Sequence, residues 1–332
     1  MIKNQNMSTL FSATSRIFCF PRPFRLSLTA RRFSVYIPRT EGGRKVVVNA
    51  PAKVNLHLEV RDLLPGGHHE ILSIVHKIPL FDRIELRSLK ERHALRILCI
   101  PPVSGGQNIA CSAVQIFRKS CGIDTGVEVR IEKSIPVGAG LGGGSSDAAA
   151  VLGGLNELFA DALSTEQLHE LAAGLGSDVS FFLHGPAALM SGRGEVIQDL
   201  VPRDDFMLVL VYPGFSISTA AAYRWFDEDE DRDRRSAHPE DLKVQFEEKP
   251  PASWSFFNSF QATMERRYPL IREIIGELAG SGAHPAVLSG SGSSVVGVFT
   301  DSRAARTVHR SLKRRFPAVW LLEHLQSRGF TD

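Results

Sequence analysis

Residues 136–146 read Pro136-Val137-Gly138-Ala139-Gly140-Leu141-Gly142-Gly143-Gly144-Ser145-Ser146. Glycines let a backbone turn tightly and leave no Cβ between its amides and a ligand. A helix is predicted to follow, and a helix N-terminus offers free N–H groups and the positive end of a dipole to an anion. Ser145 and Ser146 add two hydroxyl donors. A phosphate chain makes use of that many donors in one turn. Two charged residues could supply the rest of a phosphoryl-transfer site. Asp178 follows the glycines at 174 and 176, and Lys53 interrupts an otherwise apolar run. A carboxylate can accept the proton of an attacking hydroxyl, and a nearby lysine stabilises both that carboxylate and the transferred group. Taken singly, each reads equally as half of a surface ion pair.

The loop by itself leaves alternatives open. A flexible linker rarely sits between a strand and a helix. Gly138, Gly140 and Gly143 match G-x-G-x-x-G, which alone is a weak sign of a dinucleotide site. Such a site would want an acid ending the next strand about 20 residues on. Glu157 falls instead inside the predicted helix. A Walker loop needs Gly-Lys-Ser/Thr, whereas this one has Gly144-Ser145-Ser146 and no lysine.

These residues need elements to hold them. Lys45–Ala50 and Val54–Val60 read as strands, followed by a turn at Leu64–Gly67. Arg83–Arg87 and Val127–Glu132 alternate as strands, and Ile109–Lys119 has helical spacing. Ser146–Phe159 and Ser164–Gly174 read as helices, the second with a Ser164/Gln167 capping box and Gly174 at its end. Ser180–Leu183 and Ala187–Met190 read as short buried strands. Phe206–Tyr212 is a buried strand at a domain boundary, and a helix starts at Thr219–Trp225. Residues 227–251 are dense in charge and read as a partly disordered surface insertion. Beyond it, Phe260–Ala279 and Ser302–Arg314 read as helices. Ala286–Leu288, Val295–Phe299 and Ala318–Leu322 read as strands, with a second glycine–serine turn at Gly290–Ser294. The pattern predicts an α+β fold, with helices on one face of an antiparallel sheet. The divisions expected are 1–44, 45–205 and 206–326.

Composition narrows the setting. The 332 residues are 43 % apolar and 23 % charged, enough for two ordinary cores. Net charge is +3, but residues 1–40 hold seven basic side chains and no acid, which leaves the remainder at −4. A mildly acidic body gives no reason to expect a nucleic-acid partner. No apolar run reaches the ~18 residues that span a bilayer. Cys19, Cys99, Cys111 and Cys121 have no metal-ligand or C-x-x-C spacing. The Ser-, Arg- and Phe-rich first forty residues have the composition of a transit peptide. A disordered tail, or a start codon placed too early, would look the same.

The pattern PxGxGLGGGSSDAA, from Pro136 to Ala149, resembles the ATP loop of the GHMP kinases, which phosphorylate small alcohols such as homoserine, mevalonate and galactose. Three further segments resemble one branch of that family, whose acceptor is a cytidine-diphosphate-linked methylerythritol. They are Pro51-Ala52-Lys53-Val54-Asn55-Leu56, Leu175–Phe182 with Gly192-Arg193-Gly194-Glu195 after it, and Ala286–Ser293. Order and spacing hold from about 46 to 322.

The resemblance implies a two-lobed GHMP kinase fold with the active site between the lobes. The N-terminal lobe would be like the second domain of ribosomal protein S5, and the C-terminal lobe ferredoxin-like. It implies ATP as donor, with Mg²⁺, its ligands left open, and Lys53 and Asp178 as catalytic residues. Residues 136–146 would bind ATP. Asn55, His68, His69, Thr219 and Tyr223 would bind the acceptor. His69 matches the family residue that hydrogen-bonds the cytosine. His68 stands where the family has a tyrosine that stacks on it, since the usual Asp-Gly-Tyr-His is here Gly66-Gly67-His68-His69. Tyr223 matches the second aromatic. Asn258-Ser259-Phe260-Gln261 departs from the family's Asn-Asp-Leu-Glu. A monomer or homodimer with a small-molecule substrate and no membrane partner is expected. It would work in a bacterial cytoplasm, or in a plastid stroma if the tail is a transit peptide. The competing readings are another GHMP kinase of homoserine or mevalonate type, a catalytically inactive ligand-binding relative, and a dinucleotide-dependent oxidoreductase.

Overall fold

Two long strands carry the first half of the chain. In a computed structural model, which describes residues 44–102 and 108–323, β1 (Lys45–Leu64) and β2 (His68–Leu89) pair antiparallel across a turn at residues 65–67. The strands expected over 45–50 and 54–60 are one, because a register shift between Pro51 and Ala52 absorbs the proline. An irregularity is where a strand tolerates a residue without an N–H.

The sheet grows outward from β2. Its order is β3-β4-β2-β5-β6, with β1 also on β2. The members are β3 (Leu95–Ile100), β4 (Gly126–Glu132), β5 (Ala187–Ser191) and β6 (Val196–Asp199). β3 was not expected from the sequence. It is an edge strand, half-buried and parallel to β4, and α1 (Ile109–Cys121) leads from one to the other.

Three more helices follow, of which two pack on α1 and the last packs on those two. They are α2 (Gly143–Leu158), α3 (Thr165–Leu175) and α4 (Ser177–Phe182). Small residues in α2 bring it close to the strands. A Cβ on Gly154 would stand 2.1 Å from Leu86 Cδ1. Three expectations are corrected. The helix expected from Ser146 starts at Gly143, so Gly143 and Gly144 belong to its first turn. The capping box of α3 forms, but the residue that ends the helix is Gly176, not Gly174. Residues 180–183 are not a strand, since Ser180–Phe182 end α4. A short buried apolar run has no readable period.

The second half is a four-stranded sheet ordered β10-β7-β9-β8, all antiparallel. Its strands are β7 (Met207–Tyr212), β8 (Ala286–Leu288), β9 (Val295–Phe299) and β10 (Ala318–Leu322). Helices lie between β7 and β8, and α9 (Ser302–Leu312) lies between β9 and β10. That order and connectivity are ferredoxin-like. Leu208 and Leu210 of β7 enter one core and Val209 and Val211 the other, so this strand is buried on both faces. The core with Leu208 also holds Ala52, Leu56 and Ile74 of β1 and β2.

Between β7 and β8 come α5 (Thr219–Glu228), α6 (Pro239–Glu248), α7 (Gln261–Arg267) and α8 (Pro269–Gly280). The single helix expected over 260–279 is therefore two, divided where Pro269 opens α8. The segment 227–251, expected as a partly disordered insertion, contains α6. Its Leu242 and Phe246 are four residues apart and both buried, and Phe246 stacks on Trp254 with ring centroids 5.6 Å apart. The many charges hid an apolar stripe of only two residues. The N-terminal forty residues, and the expected end of the second domain at 326, lie outside the described residues. Among the described residues, no helix is long and apolar enough to cross a membrane.

Candidate active site

The glycine loop is held from both sides by its carbonyls. Lys53 N–H of β1 donates to Leu141 O (3.0 Å), Ile217 N–H to Gly138 O (3.1 Å) and Ser294 N–H to Ala139 O (3.1 Å), and Ser289 Oγ donates to Gly140 O (3.1 Å). With the carbonyls engaged, the first amides of α2 have no intrahelical acceptor. A cleft of about 500 Å³ opens here. Residues 136–145 all line it, whereas Ser146 is buried and its Oγ has no hydrogen-bond partner. Two glycines are dictated by contact and backbone together. At Gly140 (φ +79°) a Cβ would stand 2.1 Å from Ser289 O, and at Gly142 (φ +70°) 2.9 Å from Lys53 Cγ and 3.0 Å from Phe182 Cζ.

Lys53 and Asp178 meet on the wall of this cleft. Lys53 is 5 % exposed, and its Nζ lies 3.5 Å from Asp178 Oδ2. It donates to Asn55 Oδ1 at 2.6 Å. Asn55 Nδ2 in turn donates to Ser73 Oγ (2.8 Å), which donates to His57 O (2.6 Å). This chain fixes which end of the Asn55 amide faces the ammonium. Ser73 was not singled out from the sequence, where nothing distinguishes it from any other strand serine. Asp178 stands in the first turn of α4, with its side chain 40 % exposed. It is therefore open to a ligand while Lys53 is held behind it.

Also on the wall of the cleft, Thr219 Oγ1 lies 3.2 Å from Ser291 Oγ, and Tyr223 follows one turn later on α5. Burial first, and then the carboxylates of Asp178 and Asp227, push the Tyr223 phenol up to about 12. The structure brings His69 onto Tyr223, with ring centroids 5.4 Å apart and planes 15° from parallel. His69 Nδ1 lies 2.9 Å from Arg61 O, and Nε2 lies 3.0 Å from Asp227 Oδ1. His68 is exposed beside the turn and is not part of this stack.

A second charged group, Lys133 and Asp147, lines the same cleft and was also not foreseen. Lys133, at the end of β4, bonds both Asp82 and Asp147, the latter at 2.8 Å. Asp82 Oδ1 accepts the N–H groups of Ser134 and Ile135. Burial, and the nearby Asp82 carboxylate, push Asp147 up against the pull of Lys133. Among the described residues, no group of three His, Cys, Asp or Glu side chains is arranged to hold a metal ion.

Known proteins resemble the chain along most of its length. Residues 108–186 match the family model of the GHMP kinases N terminal domain, and 249–318 that of the GHMP kinases C terminal. The 4-diphosphocytidyl-2-C-methyl-D-erythritol kinase of Syntrophomonas wolfei subsp. wolfei is 35 % identical over 294 residues, which cover 84 % of this chain and 98 % of that protein. The kinase of the same name from Treponema pallidum subsp. pallidum is 38 % identical over 284 residues, covering 81 % and 95 %. A crystal structure of 4-(cytidine 5'-diphospho)-2C-methyl-D-erythritol kinase matches with a TM-score of 0.69 at 31 % identity, covering 83 % of this chain and 98 % of that one. Homoserine kinase from Cytophaga hutchinsonii matches with a TM-score of 0.68 at 16 % identity, covering 87 % and 98 %, which is a likeness of fold.

Proposed function

The chain belongs to the 4-diphosphocytidyl-2-C-methyl-D-erythritol kinases, a branch of the GHMP kinases, and we propose that Lys53, Asp178 and the glycine loop are the parts with which it performs that reaction. It is an ATP-dependent phosphotransferase. It moves the γ-phosphate of ATP to the 2-hydroxyl of 4-diphosphocytidyl-2-C-methyl-D-erythritol, a step of non-mevalonate isoprenoid synthesis.

The observation that carries the assignment of roles is the Lys53–Asp178 pair beside Gly142 of the loop. As the acceptor oxygen attacks phosphorus, Asp178 takes its proton. Lys53, held by Asn55, stabilises charge on the transferred group, and the loop amides and Ser145 hold the remaining phosphates. Tyr223 keeps its proton at neutral pH and so does not compete as the base. Mg²⁺ takes oxygen ligands and keeps much of its water. The Ser146 hydroxyl, buried without a partner next to the cleft lining, would hold it together with the phosphates if its side chain turned into the cleft. The metal would neutralise phosphate charge.

At the acceptor end, the His69–Tyr223 stack forms one wall of the cytosine pocket. For His69 to bond the base, one of its two ring contacts must open. His68 is the exposed ring available for the other face. The relatives are bacterial, which supports a cytoplasmic site of action.

An ADP-release assay with a panel of alcohols tests the reading. The cytidyl-linked methylerythritol is expected to turn over, and free methylerythritol, homoserine and mevalonate are not. Equal turnover without the cytidyl group would move the enzyme to another branch of the family. No ADP with any alcohol, despite ATP binding, would make it an inactive relative.

A further inference from the structure

Helix α4 has six residues. A helix that short does not persist alone, so the place of Asp178 is set by what grips each end of it. At its N-terminus the grips are Lys53 on Asp178 and Ser177 Oγ donating to Arg193 O at 2.9 Å. At its C-terminus the grip is another lysine. Lys77 Nζ donates to Phe182 O at 3.0 Å and to His184 O at 2.6 Å, and lies 5.4 Å from the centre of the Phe181 ring.

Lys77 stands directly opposite Lys53 in the β1–β2 ladder. Residues paired in this way project from the same face of a sheet. The two lysines therefore hold opposite ends of one short helix, the first at its carboxylate and the second at the carbonyls of Phe182, its last residue, and of His184 just beyond it. Those carbonyls lack intrahelical donors and sit at the negative end of the helix dipole, where a cation is favoured. The Phe182 whose carbonyl Lys77 holds also reaches the loop: its Cζ would lie 3.0 Å from a Cβ on Gly142.

This arrangement is expensive. Lys77 is 5 % exposed, and burial pushes its ammonium down to about 7 although Asp199 pulls the other way. An apolar side chain of similar volume would often be neutral or better for stability. We propose that Lys77 is a positioning residue for phosphoryl transfer: by fixing the C-terminal end of α4 it sets where Asp178 faces Lys53 and where Phe182 bears on the ATP loop. The inference rests on Asp178 being the catalytic base.

Three variants of the full chain, Lys77→Met, Asp178→Asn and the double variant, test it. ADP release is measured per nucleotide-binding site, with binding counted by ATP titration, so that loss of folded protein does not pass for loss of catalysis. A misplacement of about 1 Å at a reacting group can cost about 100-fold. Lys77→Met is therefore expected to lower kcat at least about tenfold, with KM for ATP and acceptor within about threefold. In the Asp178→Asn background the same change should cost less than about twofold, because there is no longer a base to position. A kcat within about twofold of wild type in Lys77→Met, or a loss of the same size in both backgrounds, would overturn the proposal. Wild-type kcat in Asp178→Asn would instead remove the reading of Asp178 on which it rests. If Lys77→Met yields no nucleotide-binding protein, Lys77→Leu, which also lacks the donor, decides by the same criteria.

Discussion

At the scale of single residues, the site divides chemistry from support. Asp178 is the open carboxylate, and Lys53 is held behind it by Asn55 and Ser73. Replacing Asp178 with Asn keeps the shape and removes proton acceptance, which is typically worth about 10²–10⁴-fold. The expected result is a kcat lowered by about that factor with ATP affinity within about threefold, read from ADP release and equilibrium nucleotide binding. An Asp178→Asn enzyme at wild-type kcat would take the residue out of the reaction. His69 makes a different prediction, because its ring stacks on Tyr223 and it does not line the cleft with the glycine loop. His69→Ala should raise KM for the cytidyl acceptor by about tenfold or more and leave KM for ATP nearly unchanged. An equal rise in both would move it out of the base pocket. Lys53, Asp178 and the loop were legible in the sequence because each lies in a dense local motif. Ser73, Lys77 and Lys133 were not, since each acts on a partner many residues away along the chain. Nothing in a single sequence marks such a pairing.

At the scale of elements, the phosphate loop is shaped by its neighbours as much as by its own glycines. Gly140 combines a left-handed φ of +79° with Ser289 O standing where a Cβ would go. A non-glycine residue in that conformation costs about 1–3 kcal/mol, and forcing a contact in a packed place adds about as much. Gly140→Ala should therefore lose about 2–6 kcal/mol of stability and bind ATP weakly. Gly144, two residues into α2, has only Ile109 Cγ2 at 3.9 Å from the same added atom. Gly144→Ala should fold normally, with stability unchanged or raised by up to about 1 kcal/mol from helix propensity. Melting temperatures and ATP titrations of the two variants check the contrast. Equal damage from both would mean that open access to the amides, rather than packing against Ser289, requires the glycines. The sequence marks the run of glycines but not which of them the fold demands, because Ser289 is 149 residues from Gly140. It likewise could not distinguish strand from helix at Ser180–Phe182, where apolar residues are contiguous.

At the scale of the whole molecule, the two sheets share a core, and a buried polar clasp ties residues 236–237 to β1. Glu59 is 2 % exposed. Burial alone would raise its pKa, but the His57 ring 3.9 Å away and hydrogen bonds from Arg61, the Ala237 N–H and Ser236 outweigh burial and hold it at about 2. His57, beneath it, is kept neutral chiefly by burial, which lowers its pKa from 6.5. Both shifts have the same sign for stability. A buried neutral histidine disfavours the protonated form, so stability falls as pH drops below 6.5. A depressed carboxylate contributes fully above 4.5 and loses its contribution as pH falls from there towards 2. The Glu59 contribution is on the order of 2 kcal/mol, enough to move a melting temperature by several degrees. The antiparallel second sheet with its helices could be read from alternating strands and helices, and its ferredoxin-like order was implied by the family resemblance, but this clasp could not be read, because 236–237 lie in the segment whose charge density suggested disorder. The wild-type melting temperature, followed by circular dichroism, should decline from about pH 7.5 to about pH 3 in a single transition. Glu59→Gln should melt lower at neutral pH and lose the portion of the decline below about pH 4.5, while keeping the His57 portion above it. Because Leu208 and Leu210 share a core with Leu56 and Ile74, the lobes should unfold together in both proteins. A profile for Glu59→Gln parallel to wild type throughout would show that the clasp does not carry the acid sensitivity, and two separated transitions would show that the shared core does not couple the lobes.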